Sequence, residues 1–180
     1  MSNTIIYSHG CGNSAKVAKD IAVNFDDAKI YSAIPRRDIS ATFVSRGTIG
    51  IVVPAASAGL KAQVVEFLLG LRFISADYIY LVVIGSEGTQ QDAVTDHLRS
   101  LLDKKMVQLD AVFTIPSISV IESWSIRTSE GECKLTSQEL DQLKKADQVA
   151  SMVGARECVI DSEKQGVPVK SKQHTLIECA

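Results

Sequence analysis

The chain has no C-x-x-C pair. Its four cysteines, Cys11, Cys133, Cys158 and Cys179, are widely spaced. That spacing excludes the usual zinc and iron–sulfur ligand patterns, implies no metal, and suits a reducing compartment better than a disulfide framework. Basic blocks are absent too, and the net charge of -2 argues against nucleic acid as a partner. Apolar runs such as Ile79 to Ile84 fall far short of the roughly 20 residues that a membrane span needs. No basic stretch leads into an apolar one at the start, so no secretion signal is expected and the cytoplasm is the expected compartment. Aromatic residues make up only 6%, with a single tryptophan, Trp124. Internal repeats and low-complexity segments are also missing. What remains is an ordinary composition, 46% hydrophobic over 180 residues, enough for one domain with a sizeable core.

Strand and helix patterns alternate along most of that length. Thr4 to Ser8 reads as a buried strand, and Ser14 to Phe25 as a helix with Val17, Ala18, Ile21, Ala22 and Phe25 inward. Ala28 to Ala33 is a second strand, ended by Pro35, and Asp38 to Ser45 has room only for a brief helix. Gly47 to Val53 is a third strand, closed by Pro54 and followed by a helix over Leu60 to Leu71. Tyr78 to Ile84 is the clearest strand, and Thr89 to Lys105 a long helix with Ala93, Val94, Leu98, Leu101 and Leu102 inward. A fifth strand lies within Gln108 to Ile118. Thr136 and Glu139 have capping-box spacing for a last helix reaching about Ala155. Continuous apolar strands separated by amphipathic helices predict a doubly wound α/β domain with a five-stranded parallel sheet, and the order 2-1-3-4-5 is the one expected for it, since it sets the loops after the first, third and fourth strands side by side. It spans residues 1–155. Residues 156–180 form a C-terminal tail, read as a disordered end, an edge hairpin or an arm to a second subunit.

Ligands of such sheets gather beyond the carboxyl ends of the strands, where the strand order reverses. Three of these ends carry small, turn-forming residues. They are His9-Gly10-Cys11-Gly12-Asn13-Ser14 after the first strand, Pro54-Ala55-Ala56-Ser57-Ala58-Gly59 after the third, and Gly85-Ser86-Glu87-Gly88 after the fourth. A glycine-bearing turn into a helix N-terminus presents unpaired backbone N–H groups and the positive end of the helix dipole, so the first loop suits a phosphate. A tight turn whose glycines serve only packing is the competing reading. His97 and His174 read as surface residues, and Trp124 as core or interface packing.

Tyr7-Ser8-His9-Gly10-Cys11-Gly12-Asn13-Ser14 resembles the phosphate loop of the flavodoxin-like family, with Gly12-Asn13-Ser14 followed by Lys16-Val17-Ala18 as the strongest part. Ile51 to Leu60 is similar to that family's second flavin loop, and Tyr78 to Gly85 to the strand before its third. The resemblance covers roughly residues 3 to 155. It implies FMN, bound non-covalently across all three loops, with the phosphate held by backbone N–H groups and loop side chains without a basic residue. It also implies electron transfer or a flavin-dependent reduction, with a redox partner protein or a small-molecule acceptor, and no catalytic side chain of the protein's own. A homodimer is one arrangement, in which Trp124 or the tail of a second subunit completes a substrate pocket. His9 and Cys11 stand where the family usually has hydroxyl residues, and Ala56 and Ser57 where many relatives place an aromatic against the ring.

Those departures keep a second reading open, a cofactor-free scaffold acting as a binding or regulatory module. A third is an NADP-binding oxidoreductase. Gly10-x-Gly12-x-x-Ala15 satisfies a weak dinucleotide pattern, and Arg36-Arg37 beyond the second strand would suit a 2′-phosphate. A cysteine phosphatase is disfavoured because no arginine occurs from Cys11 through Phe25.

Overall fold

The computed structural model describes residues 2–9, 12–34, 47–71, 73, 76–85, 88–118 and 137–156. Nine elements follow in the order β1 (Ser2–Ser8), α1 (Gly12–Ala22), β2 (Ala28–Ala33), β3 (Gly47–Pro54), α2 (Ala62–Gly70), β4 (Ala76–Ile84), α3 (Thr89–Asp103), β5 (Ala111–Ile115) and α4 (Ser137–Gly154). The strands form one parallel sheet, as the alternation of the sequence predicts, and their order is the expected β2-β1-β3-β4-β5.

Each central strand is apolar on both faces because each face meets a helix pair. Ile6, Ile49, Ile51, Val53, Ile79, Leu81 and Val83 pack with Val64, Phe67 and Leu68 of α2 and Val94, Leu98, Leu101 and Leu102 of α3. The alternate residues, including Ile5, Val52, Tyr80 and Val82, pack with Val17, Ala18 and Ile21 of α1 and Ala146, Val149 and Val153 of α4. Burial of each such Ile, Leu or Val side chain contributes about 1.5–3 kcal/mol.

Helix α1 begins earlier and ends earlier than its apolar stripe suggests. Asn24 is the reason for the early end, since its Nδ2 donates to the Asp20 carbonyl at 3.1 Å and to Asp147 of α4 at 3.1 Å. The chain then tightens, with the Phe25 N–H donating to the Ala22 carbonyl at 3.0 Å, and Phe25 is left half-buried beyond the helix. On the other face Lys105, just past α3, donates from Nζ to the carbonyls of Leu69 and Leu71 at 2.8 and 2.7 Å. A cation there satisfies the last carbonyls of α2 and complements its dipole.

One packing feature sits at the centre of the sheet. A Cβ placed on Gly50 of β3 would run into Cζ and the hydroxyl oxygen of Tyr80 on β4, so the phenol end of that side chain lies over a strand that has no side chain at that point. Tyr80 is fully buried, and burial pushes its phenol well above the ordinary tyrosine range, with a nearby Asn3 amide opposing the shift. Asn3 and the Tyr80 hydroxyl nonetheless make no hydrogen bond of normal geometry.

The brief helix expected within 38–45, Thr136 of the capping box, Trp124, His174 and residues 157–180 of the tail lie outside the described residues. Among the described residues no helix is long and apolar enough to cross a membrane.

Candidate functional site

The register brings the ends of the strands into one row. Ser8 of β1 lies opposite Ala33 of β2, Tyr7 opposite Val52 of β3, and Pro54 opposite Ile84 of β4. Two further backbone bonds extend the ladder into the loops. The Ala55 N–H donates to the Ile84 carbonyl at 2.8 Å, and the Gly85 N–H to the Ile115 carbonyl at 2.9 Å. The start of the second loop and the start of the third are thereby held side by side. Gly85 is required for this approach, because a Cβ on it would meet the Ala55 methyl at 2.6 Å.

In the first loop, His9 is exposed and its Nδ1 lies 3.1 Å from the Ser32 hydroxyl at the end of β2. Gly12, Asn13 and Ser14 form the first turn of α1, with Gly10 and Cys11 outside the described residues. Asn13 reaches across the top of the sheet. Its Nδ2 donates to the Ile118 carbonyl at 2.6 Å and to the Ser117 hydroxyl at 3.1 Å. Ser14 points inward and is 0% exposed, and its hydroxyl has no hydrogen-bond partner. Ser8, 1% exposed at the end of β1, also carries an unpartnered hydroxyl. Two orphaned hydroxyls therefore flank the turn where strand order reverses. Lys16, the basic residue of α1 closest in sequence to this turn, is occupied elsewhere, with Nζ 3.1 Å from Asp20 and 3.5 Å from Gln142 of α4.

The second loop is fully described. Pro54, Ala55 and Ala56 are half-buried, Ser57 and Ala58 are exposed, and Gly59 closes a turn in which its N–H donates to the Ala56 carbonyl at 3.0 Å. Gly59 has φ +78°, a left-handed conformation that glycine adopts without steric cost. Of the third loop, Gly85 and Gly88 are described while Ser86 and Glu87 are not. Gly88 opens α3, and its carbonyl accepts from the Asp92 N–H at 3.0 Å.

His97 corrects a reading made from sequence. It is a half-buried residue of α3 whose Nδ1 accepts the Leu60 N–H at 3.3 Å, so Nδ1 carries no proton in this arrangement. Its ring packs under Gly59, where any Cβ would come within 2.7 Å of Nδ1. His97 thus fixes the far end of the second loop to α3. In sequence it sits beside Leu98, at the edge of the inward stripe Val94, Leu98 and Leu101, a place that a residue facing water would share, so the spacing does not mark it. Replacing His97 by leucine leaves the buried Leu60 N–H without an acceptor. The expected results are a loss of about 1–3 kcal/mol of stability and faster hydrogen exchange at the Leu60 amide. An unchanged exchange rate at that amide would contradict the assignment.

Sequence reading also missed Gln142. It is 0% exposed in the stripe of α4, and its Nε2 donates to the Pro116 carbonyl at 3.0 Å. With Asn13 it grips the segment Pro116–Ile118 from two helices, which makes that segment a neighbour of the first loop.

No known sequence family matches the chain, and no curated protein matches it in sequence. Solved structures do. The chain is similar to a candidate flavoprotein from Bacteroides uniformis, with a TM-score of 0.52 and 13% identity over 68% of this chain and 96% of that one. It is also similar to a short-chain flavodoxin associated with a bacterial microcompartment, with a TM-score of 0.51 and 11% identity over 85% of this chain and 99% of that one. The fold is flavodoxin-like. In this flavodoxin-like sheet the first two loops flank the switch point between β1 and β3, where the two orphaned hydroxyls stand.

Proposed function

We propose that the protein binds FMN non-covalently at the three loops and passes electrons to or from a redox partner protein or a small-molecule acceptor. The observation that carries this reading is the Ser14 hydroxyl, fully buried and unpartnered in the first turn of α1. Burying a hydroxyl without a partner costs about 1–3 kcal/mol, and an anionic oxygen that accepts from it repays that cost with a charge-assisted bond. The unpaired N–H groups of the first turn of α1 would serve the same anion, and its dipole favours negative charge there. The solved structures of like fold bear names that point the same way, a candidate flavoprotein and a flavodoxin.

Bound FMN supplies the redox chemistry, and the chain's own residues bind and orient it. Ser14, Ser8 and the backbone of Gly12 and Asn13 would hold the phosphate. Asn13 has a further task, because its Nδ2 ties the start of α1 to Ser117 and Ile118 and so sets the position of the turn. The segment Pro54–Gly59, fixed at one end by Ala55 on Ile84 and at the other by His97 on Leu60, offers backbone amides and carbonyls on a rigid support. No side chain here need act as nucleophile or general base. The dinucleotide alternative receives no carboxylate from the end of β2, where Tyr31, Ser32 and Ala33 stand.

A visible absorption spectrum of the purified full chain, before and after incubation with excess FMN and desalting, tests the reading. Flavin bands that survive desalting are the expected result. A protein that remains colourless and gains no thermal stability from FMN would favour the cofactor-free module.

A further inference from the structure

The segment that follows β5 stands beside the first loop, and two helices hold it there. Gln142 of α4, 0% exposed, donates from Nε2 to the Pro116 carbonyl at 3.0 Å. Asn13 of α1 donates from Nδ2 to the Ile118 carbonyl at 2.6 Å and to the Ser117 hydroxyl at 3.1 Å. Ile118 is buried, Pro116 is half-buried, and Ser117 between them is exposed. One side chain of this clamped segment therefore faces solvent, at the end of the sheet where the loops gather.

The proton positions follow from these partners. A carbonyl oxygen can only accept, so the Ile118 carbonyl fixes Nδ2, and not the amide oxygen, on its side of Asn13. Both Nδ2 protons are then used, one on Ile118 and one on Ser117. Asn13 keeps no side-chain donor for a ligand. The Ser117 oxygen accepts from it, so the Ser117 O–H is directed away from Asn13, and it has no second partner among the described residues. The result is an accessible O–H donor pinned beside the first turn of α1. Lys16 is turned to Asp20 and Gln142, so N–H and O–H donors have to answer a phosphate over that turn.

We infer that Ser117 is a contact to the FMN phosphate outside the three loops, its hydroxyl donating to a phosphate oxygen. The inference rests on the FMN reading above and adds a fourth segment to it. Dissociation constants for FMN and riboflavin, read from flavin fluorescence on the full chain, test it in three variants. Ser117→Ala is expected to weaken FMN binding about tenfold and to leave riboflavin unchanged, because a bond to an ionised oxygen is lost. Ser117→Thr keeps the hydroxyl and should bind FMN as the wild type does. Ser117→Asp sets a carboxylate against the phosphate. It should weaken FMN binding more than Ser117→Ala does, most of all at low salt, and again spare riboflavin. All three should melt at the wild-type temperature, since the side chain is exposed and Asn13 keeps its bond to Ile118. A wild-type protein that binds neither flavin would overturn the FMN reading, and this inference with it. A wild-type protein that binds FMN, with affinity unchanged in Ser117→Ala and Ser117→Asp, would overturn the inference alone. Equal losses for FMN and riboflavin would also overturn it, because the hydroxyl would then not act on the phosphate.

Discussion

Gly50→Val is expected to destabilise the domain by roughly 3 kcal/mol or more, a large part of the 5–15 kcal/mol that holds a typical domain together. The cause is space and not backbone conformation. Any Cβ at position 50 runs into the Tyr80 Cζ and hydroxyl oxygen. The ring has no room to retreat, because Tyr80 is 0% exposed and packs edge-on against Phe113, centroids 6.3 Å apart. Gly70, at the end of α2, is the control, since a Cβ there meets nothing within 4 Å. Gly70→Ala should be neutral or stabilising by about 0.5–1 kcal/mol. Urea denaturation of the two variants checks the pair. A Gly50→Val midpoint equal to wild type would mean that β3 and β4 do not meet as described.

Ser14→Ala is expected to move two quantities in opposite directions. Loss of a hydrogen bond to an ionised phosphate costs about 1.5–3 kcal/mol, so FMN affinity should fall roughly 10- to 150-fold. The ligand-free protein should be as stable as wild type or more so, because the hydroxyl removed has no partner there. A serine of merely structural value would give the reverse pattern, with lower stability and unchanged FMN binding. Fluorescence titration for affinity and thermal unfolding without FMN read the two arms separately.

The elements legible in the sequence are those in which local pattern and tertiary environment agree. β3 and β4 read as unbroken apolar runs because helices cover both faces, and the burial of Ile49, Ile51 to Val53 and Tyr78 to Ile84 follows from that. The turns that begin after β3 and β4 were legible for a different reason, because glycine marks close approaches and unusual backbone angles. Gly85 against Ala55 and Gly59 at φ +78° are two such cases. Polar residues inside apolar stripes were not legible. His97 finds Leu60 across 37 residues, and Gln142 lies 126 residues from Lys16. Neither distance leaves a local trace, and a polar residue next to an apolar stripe looks the same whether it faces water or a buried backbone. Gly50 is intermediate. A glycine inside a strand signals a close approach, but only the sheet register identifies Tyr80 as the neighbour.

On the proposed reading, the phosphate is the part of FMN that the turn between β1 and α1 holds. Comparing FMN with riboflavin on the wild-type protein therefore tests the account most directly, since the two differ only in that group. Quenching of flavin fluorescence gives both dissociation constants. With Ser14, Ser8 and the first turn of α1 on the phosphate, FMN should bind roughly 100-fold or more tightly than riboflavin. Equal affinity for the two would contradict the account, because the orphaned hydroxyls would then have no part in binding.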